Sequence, residues 1–176
     1  MFYQNVDPAP DDFQHFGCTF SALVMSRELL GGIPWMLSEA YSCFSLCRKM
    51  GYITGDLNRD GDYNDPGEDE IKSYQGIIDF CKLPLRVIPP ESLGLPMGLD
   101  RNGVKRILPL AEPLDPAKYW TLEAWHWRLT HFVAGDGTGR RPVKYDPIAG
   151  GSLTVRNGKC ESLRIFEIRK WEVEHA

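Results

Sequence analysis

A thiol, an imidazole and a carboxylate stand in this chain where a fold could bring them together. Cys18 follows Gly17 and opens the run Cys18-Thr19-Phe20-Ser21-Ala22-Leu23-Val24-Met25, whose apolar residues recur at helical spacing. A thiol in the first turn of a helix lies at the positive end of the helix dipole, which favours the thiolate, the nucleophilic form. A thiolate becomes a catalyst only with a base and a group that orients the base. His131, at the head of His131-Phe132-Val133-Ala134-Gly135, and Asp146, in Val143-Lys144-Tyr145-Asp146-Pro147, can supply both. The expected chemistry is that of a cysteine hydrolase.

The chain has four histidines. His15 lies on the loop entering Cys18, and His175 lies in a C-terminal tail. His126 sits between Trp125 and Trp127, so in a strand it faces away from both. His131 begins an apolar strand that runs into Gly135-Asp136-Gly137-Thr138-Gly139. If the hairpin turns about Thr138-Gly139, positions summing to about 277 pair across it, and His131 faces Asp146 within reach of a hydrogen bond. A turn about Asp136-Gly137 would instead set His131 against Pro142. Taken singly, a Cys after Gly is most often a small buried residue, and a strand His a core or edge residue. The case rests on the combination and its order.

The elements that must hold these groups can be read in outline. Residues 1–17 read as an extended arm and loop. A helix is expected over 18–30, stopped by Gly31-Gly32, and a second over 35–50, started by Pro34 and closed by Gly51. A polar, acidic loop follows at 55–68, then a third helix at 69–82 with Glu68, Asp69 and Glu70 in its first turn. Leu85-Arg86-Val87-Ile88 reads as a short strand. Residues 91–118 read as loop, with a short helix at 101–107. Aromatic and β-branched runs at 123–135, 141–147, 152–156 and 162–170 read as strands. Helices followed by an antiparallel sheet make an α+β layout in one domain.

Composition narrows the class. With 176 residues and 43% hydrophobic, one domain can bury a real core. A formal charge of −4 and the lack of a Lys/Arg cluster give no footprint for nucleic acid. No stretch is long enough to span a membrane. Met1-Phe2-Tyr3-Gln4-Asn5-Val6-Asp7 lacks the basic and apolar regions of a signal peptide, so the expectation is synthesis in the cytoplasm or a sequence without its leader. Five cysteines, with no Cys-x-x-Cys pair, argue against a disulfide framework. Cys43 and Cys47, one helical turn apart, read as reduced helix-face residues, and Cys81 and Cys160 as structural.

The order helix Cys, strand His, third polar residue resembles papain-like cysteine peptidases. The closer likeness is to the branch resembling bacteriocin-processing peptidases of bacteria and phages. Its elements here are Phe2-Tyr3-Gln4, Gly17-Cys18-Thr19-Phe20-Ser21, His131-Phe132-Val133 and Tyr145-Asp146-Pro147. The resemblance implies a papain-like fold with Cys18 as nucleophile, His131 as general base and acid, and Asp146 as the orienting residue. It also implies that Gln4, with the Cys18 backbone N–H, stabilises the oxyanion, which acyl transfer requires. Two departures stand out. The Gln4–Cys18 spacing is longer than in papain, with Gln14 a competing donor, and Cys18-Thr19-Phe20 replaces the usual Cys-Gly-Pro helix start.

The segment from Asp56 to Glu68 follows the start of an EF-hand-type calcium loop. Oxygen ligands stand at the first, third and fifth positions (Asp56, Asn58, Asp60), and Gly61 supplies the sharp turn. The twelfth position is Gly67, and Glu68 comes one residue later, so the loop resembles the looser Asp-x-Asn-x-Asp-Gly loops of extracellular bacterial proteins. Crowded carboxylates repel, and a cation relieves the repulsion. The expected ligands are Asp56, Asn58, Asp60 and Glu68 by side chain, and Asp62 through its carbonyl.

The expectation is therefore a phage-type endolysin, an amidase or endopeptidase that cuts an amide bond in peptidoglycan. It would use a Cys-His-Asp triad and calcium, need no organic cofactor, and act at the cell wall or periplasm. Trp120, Trp125 and Trp127 read as core or cleft wall, or as a platform for sugar rings. The alternatives are a protein or leader-peptide peptidase, and a calcium-stabilised binding module without turnover.

Overall fold

The computed structural model describes residues 3, 13, 17–54 and 70–170. Among the described residues five α-helices are bounded: α1 (Cys18–Val24), α2 (Ser26–Gly31), α3 (Leu37–Lys49), α4 (Tyr74–Phe80) and α5 (Leu153–Asn157), with a 3-10 turn at Pro90–Leu93. Six strands make one antiparallel sheet: β1 (Leu85–Val87), β2 (Met97–Leu99), β3 (Lys105–Ile107), β4 (Tyr119–His126), β5 (Thr130–Gly135) and β6 (Lys159–Ile168). Their order is β2-β3-β6-β4-β5, and β1 also pairs with β6. The α+β class expected from the sequence is thus what the chain adopts.

Helix α1 is buried from Phe20 through Val24, which is why Phe20, Ala22, Leu23 and Val24 crowd its turns, with Ser21 buried among them. It lies against the sheet face that carries Trp120, Leu122, Ala134 and Phe166. Two indoles tie the layers together, with Trp120 Nε1 donating to Ala22 O (3.3 Å) and Trp35 Nε1 to Val24 O (2.9 Å). Helix α3 buries Ala40, Phe44 and Cys47, one stripe at helical spacing. Phe44 meets Phe13 and Phe20 edge-on at 5.2 and 5.3 Å. Phe13, read from the sequence as loop, is helical and wholly buried. The opposite sheet face packs Ile107, Leu163 and Ile165 in one group and Trp125, Val133 and Val155 of α5 in another.

Several boundaries differ from expectation, each for a local reason. The first helix breaks at Met25 into α1 and α2 before Gly32 closes it in the left-handed conformation (φ 68°). The third helix is shorter than 69–82, because Ser73 caps it, its Oγ accepting from Gly76 N–H (3.0 Å). Glu70 therefore lies outside that helix, paired with Thr54 instead. The stretch 101–107 is a turn into β3, not a helix; Asp100 Oδ1 accepts from the N–H groups of Asn102 and Val104. The run 123–135 is two strands joined through Trp127-Arg128-Leu129. The segment 152–156, read as strand from Thr154 and Val155, is helix α5, capped by Ser152 Oγ accepting from Val155 N–H (3.0 Å). In 141–147 only Tyr145 pairs, in a bridge to Ala134.

The acidic segment from Asp56 to Glu68 lies outside the described residues. Its two ends do not. Ile53 pairs with Ile71, Thr54 N–H donates to Glu70 O (2.9 Å), and Glu70 N–H donates to Thr54 Oγ1 (3.1 Å). The chain thus leaves and returns through a pinned neck.

Candidate active site

Cys18 is the first residue of α1, and its position depends on a contact only glycine allows. A Cβ at Gly17 would fall 2.6 Å from the Phe13 carbonyl oxygen and 2.8 Å from its ring. The close approach sets the Cys18 thiol, half-buried, against the outer edge of β5. There it meets the His131 imidazole and the backbone N–H of Phe132.

His131 is buried, the second residue of β5, with Trp125 beside it on β4. Its Nε2 donates to Asp146 Oδ1 at 2.7 Å, which leaves Nδ1 for the thiol. Asp146 is held in turn. Oδ1 also accepts from Ile148 N–H (3.0 Å), and Oδ2 accepts from Ser152 N–H (2.8 Å), the cap residue of α5. Carboxylate and imidazole are thus hydrogen-bonded, and the imidazole faces the thiol, so the three groups stand in one line.

The route to this line is not the one the sequence led us to expect. The hairpin pairs Ala134 with Tyr145, so positions sum to about 279, two more than the register that faces His131 with Asp146. Asp146 is a diagonal neighbour on the same face, reaching back to His131 as the chain leaves the bridge. Glu123 explains the displaced turn. Its carboxylate accepts from Trp125 Nε1 (2.9 Å), Gly137 N–H (3.0 Å) and Gly139 N–H (3.2 Å). It lies so close to Gly135 that a Cβ there would be 2.1 Å from the carboxyl carbon. The sequence reading missed Glu123. The signal was an acid inside the run Trp120-Thr121-Leu122-Glu123-Ala124-Trp125, together with glycines at every second position (Gly135, Gly137, Gly139) from the end of β5 into the turn.

The electrostatics follow the geometry. Burial alone would raise the Cys18 thiol, but the hydrogen bond and charge of His131, with Phe132 N–H and Thr19, bring it below its ordinary 9.0. Burial alone would lower His131, but Asp146 and the Cys18 thiolate raise it to about 9 from the ordinary 6.5. Burial also opposes the Asp146 charge, yet His131 and the two backbone donors hold its carboxyl below the ordinary range. All three shifts favour a thiolate–imidazolium pair at neutral pH.

That pair predicts a pH profile. Alkylation of Cys18 by iodoacetamide should climb at a pH below an ordinary thiol's, and His131 should keep its proton until about pH 9. The Asp146→Asn variant removes the carboxylate that raises His131, so the imidazolium is less populated at pH 7. The alkylation limb should then move to higher pH, and the rate at pH 7 should fall about tenfold or more. Mass-spectrometric labelling from pH 5 to 10 reads both curves; superimposable limbs would refute the coupling.

The other expected residues divide clearly. Gln4, Gln14, His15, His175 and the acidic-loop residues Asp56, Asn58, Asp60, Asp62 and Glu68 lie outside the described residues. His126 stands at the surface against Arg101, apart from the Cys18–His131 contact. Trp120 and Trp125 are core residues, and Trp127 alone of the three is exposed, so a three-ring sugar platform is not formed. All five cysteines are free. Among the described residues no cluster of three or more His, Cys, Asp or Glu is arranged to hold a metal ion, and no helix is long and apolar enough to cross a membrane. Compared with protein-family models, with curated proteins and with solved structures, the chain matches none.

Proposed function

We propose that this chain is a papain-like cysteine hydrolase that cleaves an amide bond in bacterial peptidoglycan. The observation that carries the reading is the line from Asp146, hydrogen-bonded to His131, to the Cys18 thiol that His131 faces. In the reaction the Cys18 thiolate attacks the amide carbonyl, and the negative charge moves to the carbonyl oxygen. The Cys18 backbone N–H and Gln4 are the proposed donors to that oxygen. As the intermediate collapses, the His131 imidazolium gives its proton to the departing amine, leaving an acyl-thioester on Cys18. His131, now neutral, takes a proton from water, which attacks the thioester and releases the acid. Asp146 keeps one tautomer throughout and stabilises the imidazolium each time it forms.

The choice of peptidoglycan rests on the resemblance drawn from Gly17-Cys18, His131-Phe132-Val133 and Tyr145-Asp146-Pro147, joined to the calcium-type loop. Calcium is proposed for Asp56, Asn58, Asp60, Asp62 and Glu68. The neck at Thr54 and Glu70 fits that role, because loop ends already brought together lower the entropy an ion must overcome to wrap the chain. In this reading calcium stabilises the loop and takes no part in the chemistry.

Incubation with purified peptidoglycan tests the proposal. The expected result is falling turbidity with release of new amines, stronger with calcium than with a chelator. Release of amines from casein but not from walls of several chemistries would move the reading to a protein peptidase. No release from either would overturn hydrolysis.

A further inference from the structure

Beside Cys18 and His131 the helix and sheet layers part into a cleft of about 620 Å³. Its floor is a row across three strands: Phe132 of β5, Ala124 of β4 and Ser162 of β6. The two small side chains in that row make the depression. Thr19, next to Cys18, stands at one wall, and Tyr74 of α4 at another.

The cleft holds three arginines, and two are already neutralised. Arg106 pairs with Asp100 (3.4 Å) and Arg101 with Glu161 (3.8 Å). Arg164 is different. The groups it touches are all neutral: Ser162 Oγ (3.2 Å), the Leu163 carbonyl (3.1 Å), the Tyr74 hydroxyl and the face of the Phe132 ring, 5.6 Å away; the charges of Asp100 and Arg106, already paired with each other, reach it only through space and oppose one another. Among the described residues it forms no ion pair. Its position in the sequence is equally unusual, a cation between Leu163 and Ile165, on the strand face that carries Phe166 into the core. A half-buried guanidinium is costly to keep in a cleft without an anion, and burial accordingly pulls its protonation downward. A planar fork of donors beside a nucleophile suits a carboxylate.

We propose that Arg164 binds a carboxylate of the substrate in this cleft. The inference rests on the hydrolase reading and names the substrate class: a peptide-like chain bearing an acidic group. Two strand spacings separate Phe132, which touches the thiol, from the β6 strand of Arg164, about 10 Å. At ~3.4 Å per extended residue, that span is about three residues, the length of an acetyl-alanyl-glutamyl chain.

Two isosteric thiol reagents test this without knowing the natural substrate. Iodoacetyl-alanyl-glutamate and iodoacetyl-alanyl-glutamine, both C-terminally amidated, differ by one negative charge at the required distance. Native protein should label at Cys18, with the glutamate reagent favoured about tenfold through tighter binding rather than a faster limiting rate. The preference should vanish in Arg164→Gln and return in large part in Arg164→Lys. Labelling at Cys18 with no preference, or a preference that survives Arg164→Gln, overturns the inference while leaving the nucleophile intact. No selective labelling of Cys18 by either reagent overturns the hydrolase reading itself. The comparison on native protein needs no variant, so the inference stays open to refutation even if Arg164→Gln misfolds.

Discussion

Under the proposed hydrolysis, replacing Cys18 with alanine is expected to leave a folded protein that no longer clears purified peptidoglycan, a fall of about 10⁴-fold or more in rate. The size of the effect follows from the chemistry. Without sulfur there is no acyl-enzyme, and His131 has no nucleophile to serve. The fold should not notice, because Cys18 is half-buried and its thiol is no part of the Phe13–Phe20–Phe44 packing. Taking a thiolate–imidazolium pair out of a partly desolvated site is neutral or mildly stabilising, so the melting temperature should hold or rise. His131 loses the thiolate that helps to raise it and should titrate below about 9, while Asp146 still keeps it above 6.5. Turbidity, thermal melting and a histidine NMR titration read the three effects. Clearing by the alanine variant would remove Cys18 from the mechanism.

Glu123→Ala should do the opposite, damaging the fold first and the activity as a consequence. The carboxylate is wholly buried and receives three donors, and truncation leaves Trp125 Nε1 and the N–H groups of Gly137 and Gly139 without partners. Each such loss costs about 1–3 kcal/mol, partly offset by removing a charge that burial disfavours, for a net loss of about 3 kcal/mol. For a chain of this size that corresponds to a melting temperature about 6–12 °C lower. Glu123→Gln keeps the shape but turns an amide donor toward at least one N–H, so it should fall between. The glycine turn held by Glu123 leads to the bridge at Tyr145 and then to Asp146. Cys18 alkylation at pH 7 should therefore slow as well. Thermal melting by circular dichroism decides; a melting point within about 2 °C of native, on the same scale, would mean that Glu123 does not hold the turn.

The contrast between these residues shows what a sequence can reveal. Cys18, His131 and Asp146 were legible because each lies in a short motif whose residue types state their chemistry. The register joining them was not. Gly137 and Gly139 both take positive φ (91° and 64°), and which of them closes the turn depends on Glu123, more than ten residues upstream. Helix α3 was legible from Pro34 and Gly51 at its two ends, whereas α5 was hidden by the β-branched Thr154 and Val155. There the Ser152 cap outweighs strand propensity. Arg164 was invisible for a similar reason: its significance lies in carboxylates that pair with Arg101 and Arg106 and not with it, a fact of three dimensions.

The histidine strand has a further consequence, for solubility. Strand β5 is the outermost in its direction of the sheet, and an open strand edge invites pairing between molecules. Here the outward groups of Ala134 are taken by Lys144 and Tyr145, and the N–H of Phe132 is turned to the Cys18 thiol. The contacts that assemble the site therefore also cap the edge, so one set of backbone bonds covers the strand that Cys18 faces while it positions the thiol.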